Sequence, residues 1–106
     1  MQDLENQYCL PQTQLKLLTP GEIKVFLGQL RGWEFLETQK IVKEFIFNDF
    51  SQAMKFVNQV AELAEKENHH PDIAIHYNKV EIVLWTHFVK GLSINDFILA
   101  VKIDAL

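Results

Sequence analysis

The sequence predicts an α+β domain whose elements run helix, strand, strand, helix, strand, strand, helix. Three observations carry that expectation. Apolar residues recur at helical spacing in separate stretches; pairs of short runs rich in β-branched and aromatic residues lie between them; and Gly32, Pro71 and Gly91 stand at the joints. A chain of 106 residues suffices for one domain and is too short for two ordinary ones.

Residues 1–18 are rich in Gln and Asn around Pro11, with no sustained apolar period, and read as a loosely held leader to a domain over 19–106. At Thr19-Pro20-Gly21-Glu22 the pattern changes. Thr19 can cap, Pro20 suits the first helical position and Glu22 completes a capping box, so a helix starts here. Ile23, Phe26, Leu27 and Leu30 continue it until Gly32. Strands are expected over Trp33–Glu37 and Ile41–Phe47, folded as a hairpin around Thr38-Gln39.

Asn48 or Asp49 then caps the most periodic helix, carrying Phe50, Ala53, Met54, Val57, Val60, Ala61 and Ala64 toward the sheet. Phe56 and Leu63 widen that stripe, which fits either a broad core-facing helix or a surface covered by a second subunit. Pro71 disfavours the helical region at His70 and ends the helix. Strands over Asp72–Tyr77 and Val80–His87 follow, joined at Asn78-Lys79. After Gly91, Ser93 caps a last helix with Asp96 at its third position, and Ile94, Phe97, Ile98, Val101 and Ala105 form the buried side.

The formal charge of −4 provides no basic field for phosphates, so nucleic acid is not an expected ligand. No window approaches the ~20 apolar residues of a membrane span. The start lacks the basic and apolar regions of a signal peptide, and the single cysteine, Cys9, has no partner for an internal disulfide. These features point to a cytoplasmic protein.

Chemistry concentrates at the ends of elements. With the second hairpin turning at Asn78-Lys79, Ile75 pairs with Ile82, Ile73 with Leu84 and Tyr77 with Val80; the same register sets His70 against His87. Opposed side chains have Cβ atoms roughly 4.5–5.5 Å apart, close enough for two imidazoles to touch one small molecule. His69 ends the long helix, and Glu65 lies four residues earlier on its side, where it can fix a histidine tautomer. Elimination of water needs one group to protonate the departing hydroxyl and another to take a proton, and histidine, with an unperturbed pKa of about 6.5, suits both.

Histidines with an open position also resemble a catalytic zinc site. Successive side chains diverge at His69-His70, and no further cysteine supplies a softer donor, so no metal is assigned. The chain has no G-x-G-x-x-G, P-loop or nucleophile-elbow motif. His76, set against Glu81, reads as a polar cross-strand pair, Asp96 as a capping carboxylate, and Trp33 and Trp85 as core or interface aromatics.

Glu65-Lys66-Glu67-Asn68-His69-His70-Pro71, then Tyr77, Thr86-His87, Gly91-Leu92-Ser93 and Asp96, resemble the signature of pterin-4a-carbinolamine dehydratases. The likeness extends through Gly32-Trp33 and Phe45-Ile46-Phe47-Asn48-Asp49-Phe50 and covers residues 19–106; Phe88-Val89-Lys90 departs from the acidic or small residues common there. The resemblance implies a four-stranded antiparallel sheet backed on one face by three helices, assembled as a homodimer or homotetramer. It implies dehydration of 4a-hydroxytetrahydrobiopterin or a related pterin, left by an aromatic amino acid hydroxylase, to quinonoid dihydropterin, with no metal or organic cofactor. Carried over by position, His69, His70 and His87 are the acid-base groups, Glu65 supports the pair, Asp96 lies near the pocket rim, and Trp33 and Pro71 belong to substrate binding. One histidine protonates the 4a-hydroxyl, another accepts the N5 proton and the third orients the ring; His69 as base and His87 as acid is one permutation among several. The alternative implied by the same family is a non-catalytic dimerisation or scaffolding cofactor for a partner protein.

Overall fold

The capping box expected at the first helix forms as drawn. Thr19 accepts from the Glu22 N–H, the Glu22 carboxylate accepts from the Thr19 N–H, and α1 runs over Pro20–Leu27. In the computed structural model, which describes residues 4–106, the other elements are β1 (Glu34–Leu36), β2 (Lys40–Ile46), α2 (Phe50–Glu67), β3 (Asp72–His76), β4 (Lys79–Leu84) and α3 (Ile94–Asp104). The element order is the one the sequence predicts, and the strands form one antiparallel sheet in the order β1-β2-β4-β3.

Strand alternation divides the sheet into two faces. Ile41, Val80, Ile82 and Leu84 point one way and are fully buried against Ala53, Phe56 and Val60 of α2 and Ile98 and Leu99 of α3. Glu34, Glu44, Glu81 and His76 lie on the opposite, exposed face. Phe97 of α3 is wholly buried and stacks on Phe26 of α1 with ring centroids 5.3 Å apart. Its truncation to Ala should cost about 3–5 kcal/mol, a large share of the stability of a small domain.

Four local expectations need correction. First, α1 ends at Leu27, well before Gly32, because Gln29 N–H donates to Phe26 O and Leu30 N–H to Leu27 O, tightening the last turn instead of propagating it. Second, the buried stripe of α2 is Ala53, Phe56, Val60, Ala64 and Glu67, while Phe50 is exposed. Phe56 packs between Phe45 and Phe47, with centroids at 4.7 and 5.0 Å, and is a core residue.

The third correction concerns register. Ile75 pairs with Val80 and Ile73 with Ile82, so the second hairpin turns at Tyr77-Asn78 rather than Asn78-Lys79. Asn78 is taken up by β2: Phe47 N–H donates to Asn78 O (2.8 Å), and Asn78 Nδ2 donates to Phe47 O (2.9 Å). Those bonds prolong the β2-β4 ladder and push the turn one residue back, with Tyr77 at φ 53. The shift amounts to two residues along the partner strand, so every side chain keeps its face. Fourth, His76 stands opposite Lys79, not Glu81.

The segment ahead of Thr19 runs back across the helices. It contains single 3-10 turns at Leu4–Asn6 and Gln12–Gln14, and Leu4, Leu15 and Leu18 are buried. Among the described residues, no helix is long and apolar enough to cross a membrane.

Candidate active site

The end of α2 sets the first two histidines. Asn68 closes the helix in the left-handed conformation (φ 54), and the N–H groups of both Asn68 and His69 donate to Ala64 O. The chain turns back on itself there, sending His69 inward and His70 outward. Pro71 follows and β3 begins at Asp72. On the other side β4 ends at Leu84, two residues before Thr86, and His87 opens a single 3-10 turn, His87–Val89, closed by a bridge between Thr86 and Gly91. His87 therefore leaves the sheet. His70 and His87 are not a cross-strand pair, since the ladder stops first and its register, if continued, would set His70 against Trp85.

His69, His70 and His87 nevertheless line one cleft of about 260 Å³, together with Gln12, Asn68, Pro71, Asp72, Trp85 and Thr86. A larger groove of about 720 Å³ lies between Leu17, Ile23, Leu27, Phe35 and Gln39, but apart from Lys24 it carries no ionisable side chain. Of these two, only the smaller cleft is lined by histidines.

Each histidine has a different partner. His69 Nε2 lies 2.6 Å from Asp96 Oδ1, with the imidazole nearly buried and the carboxylate wholly so. Asp96 is therefore not at a rim. Its Oδ2 accepts from the Thr86 hydroxyl (2.7 Å) and from the Ser93 N–H (2.9 Å), the second bond being half of the α3 capping box. A carboxylate holding those donors can only accept from His69, so Nε2 carries the proton and Nδ1 is left as the basic nitrogen. The Thr86 proton is committed to Asp96, so the Ser93 hydroxyl donates to Thr86 Oγ1 at 2.7 Å.

Glu65 pairs with His70, not His69: its Oε2 accepts from His70 Nε2, and both side chains are largely exposed. His87 has an aromatic partner. The Trp85 indole stacks on it with centroids 3.7 Å apart and planes at 28°. The indole is itself fixed by its N–H donating to Asp72 Oδ2 (3.2 Å) and by the Lys40 ammonium 4.7 Å above the ring. Trp33, by contrast, does not line the cleft. It is buried edge-on against Phe45, and its N–H donates to Asp104 Oδ2 at 3.0 Å. Trp85, read from the sequence as a core or interface aromatic, is half-buried and lines the cleft; Thr86 had entered only as part of the family signature, and Gln12 had no reading at all.

The family described as pterin 4 alpha carbinolamine dehydratase matches residues 16–106. The chain belongs to that family. Among relatives, proteins from Nitrosospira multiformis and Hydrogenovibrio crunogenus, each provisionally named a pterin-4-alpha-carbinolamine dehydratase, are 45% and 46% identical; the alignments span 98% and 97% of this chain and 92% and 93% of theirs. A crystal structure described as a transcriptional coactivator/pterin dehydratase from Brucella melitensis aligns at 38% identity with a TM-score of 0.81, over 84% of this chain and 96% of that one. The ionisable groups that line the cleft are three histidines and the Asp72 carboxylate.

Proposed function

We propose that this chain removes water from 4a-hydroxytetrahydrobiopterin, or a closely related 4a-hydroxytetrahydropterin, to give the quinonoid dihydropterin. One observation carries the proposal: three imidazoles share a cleft, each held by a different kind of partner, a buried carboxylate, an exposed carboxylate and an indole. The cleft falls below the ~300–1,000 Å³ of typical ligand pockets and suits a small bicyclic ring better than a nucleotide.

The reaction breaks the C4a–O bond and forms a double bond between C4a and N5. The hydroxyl must leave with an added proton, and N5 must lose its own. His69 acts as base through Nδ1, because the Asp96 bond at Nε2 fixes that tautomer and stabilises the imidazolium formed. His87, exposed at the mouth and stacked on Trp85, in its protonated form gives its proton to the departing hydroxyl. His70, tied to Glu65, orients the ring. The proton balance closes with water as the only by-product, so the step itself calls for no redox partner.

Mixing the purified protein with enzymatically generated 4a-carbinolamine and following the ultraviolet change tests the proposal. Dehydration well above the buffer rate, abolished by His69→Ala, is expected. A folded protein that leaves the buffer rate unchanged would refute it. The Brucella relative's description as a coactivator favours one second reading, a scaffolding role for a partner protein, which survival of partner binding in the His69→Ala variant would separate from catalysis.

A further inference from the structure

We propose that residues 8–15 form a fixed strap completing the cleft, and that the Gln12 carboxamide it carries is a substrate-contacting residue. The inference rests on the dehydratase reading. It concerns a segment that the matched family span, residues 16–106, does not include, although Gln12 lines the same cleft as His69, His70 and His87.

The strap is anchored on both sides of Gln12. Leu10 N–H donates to Asn95 Oδ1 (2.8 Å), and Asn95 Nδ2 donates to Leu10 O (2.9 Å), so one side chain satisfies both main-chain groups of one residue. Cys9 N–H donates to Glu67 Oε1 (2.9 Å), the Lys102 ammonium bonds Glu67 Oε2 (2.8 Å), and the same ammonium sits 4.4 Å over the Tyr8 ring. Downstream, Leu15 is buried. Between these anchors Pro11 fixes its own φ at −57, and Gln12 opens a turn closed by Gln14 N–H to Pro11 O (2.9 Å) and Leu15 N–H to Gln12 O (3.1 Å). The Gln12 backbone is thus held in place before any ligand arrives.

Asn95 explains why the strap and the acid–base group keep a fixed relation. It is a buried polar residue in the first turn of α3, a position that is costly unless its hydrogen bonds are made, and it makes them to the strap. Its neighbour Asp96 holds His69. One helical turn therefore positions both Gln12 and the base.

The chemistry of a carboxamide identifies what it would meet. Gln12 offers an acceptor beside two donors, the complement of a cyclic amide with an N–H next to a carbonyl, as on the pyrimidinone edge of a pterin. A bicycle without that edge would gain nothing from it.

The test uses full-length Gln12→Ala and Asn95→Ala beside His69→Ala. Steady-state dehydration is measured, together with binding of a stable dihydropterin followed by Trp85 fluorescence in the cleft. Gln12→Ala should raise KM and weaken dihydropterin binding by about fivefold, the loss of one neutral hydrogen bond, with kcat within about twofold. Asn95→Ala should reproduce that KM rise by freeing the strap. It should also speed alkylation of Cys9, whose thiol is pushed up to about 12 by burial and the nearby Glu67 and is slow to react while the strap is seated. Wild-type KM and binding in Gln12→Ala, with His69→Ala inactive, would overturn the strap proposal and leave the dehydratase reading standing. A wild-type protein without turnover would overturn both.

Discussion

Asp96 and His69, 27 residues apart in the chain, meet at 2.6 Å in the interior, and the carboxylate that caps α3 is also the group that fixes the imidazole. One side chain thereby couples the start of the last helix to the end of α2. Its four-way network with Thr86, Ser93 and His69 is fully satisfied, the condition under which a buried polar cluster stabilises a fold.

Replacing Asp96 by Asn should therefore act on stability and rate together. The carboxamide keeps the shape, but its nitrogen either faces the Thr86 and Ser93 donors, leaving a buried group unsatisfied at about 1–3 kcal/mol, or faces His69 and forces the imidazole into the other tautomer, with loss of the charge-assisted bond. The dehydration rate should fall at least about tenfold, since the tautomer that leaves Nδ1 basic is no longer enforced. Denaturant unfolding and the carbinolamine assay read the two effects separately; full activity in Asp96→Asn would remove His69 from the role of base.

His70→Ala and His87→Ala should each lower the rate by at least about tenfold while leaving the fold intact, because both imidazoles are exposed and neither contributes to the core. Circular dichroism with the same ultraviolet assay checks this. Unchanged rates in both variants would dissolve the proposed site.

Most of the fold was legible because its signals are local. Thr19 and Glu22, Asp49, and Ser93 and Asp96 each cap a helix where expected. The hairpin register was not, for a physical reason: a slip by two residues leaves Ile73, Ile75, Val80, Ile82 and Leu84 on their faces, so the apolar pattern fits both alignments equally well. What decided it was Asn78 bonding to Phe47 in another hairpin, a contact no strand pattern encodes. The site shows the same division. The histidines and Glu65 were visible in the spacing, but not which histidine Glu65 would take, nor that Asp96 would hold the other. Glu65 reaches past His69 to His70 because Asn68 reverses the chain, and Asp96 turns inward because α3 docks under Thr86. Trp33, drawn from the family pattern, is claimed instead by Asp104 in the core.

Trp85→Ala should lower kcat more than it raises KM. The stacked indole limits the orientations of His87, and an aromatic pair of this kind is worth about 0.5–1.5 kcal/mol beyond its buried area. Phe at this position keeps a ring beneath the imidazole but loses the bond to Asp72, so Trp85→Phe should fall between the two. Steady-state kinetics on both variants checks this; equal kcat values for Trp85→Ala and the parent would show that the stack does not serve the proton donor.

Acid should loosen the attachment of residues 8–15 before it disrupts the sheet. Burial alone would raise the Glu67 carboxyl, but the Cys9 N–H and the Lys102 ammonium outweigh it and hold the group below its usual value of 4.5. A carboxyl whose folded-state value is depressed binds fewer protons than in the unfolded chain. Its stabilisation is complete above the unfolded value and is lost as pH falls through the folded one. Protection of the Cys9 amide, the slowing of its exchange relative to an unstructured chain at the same pH, should therefore fall as the pH drops from about 5 toward 3, ahead of that of the amides of β2 and β4. In Glu67→Gln the carboxamide cannot take up that proton, so protection at Cys9 should already be low near neutrality and its acid dependence shallower. If Glu67→Gln kept the parent's acid slope, another carboxyl would have to control the attachment.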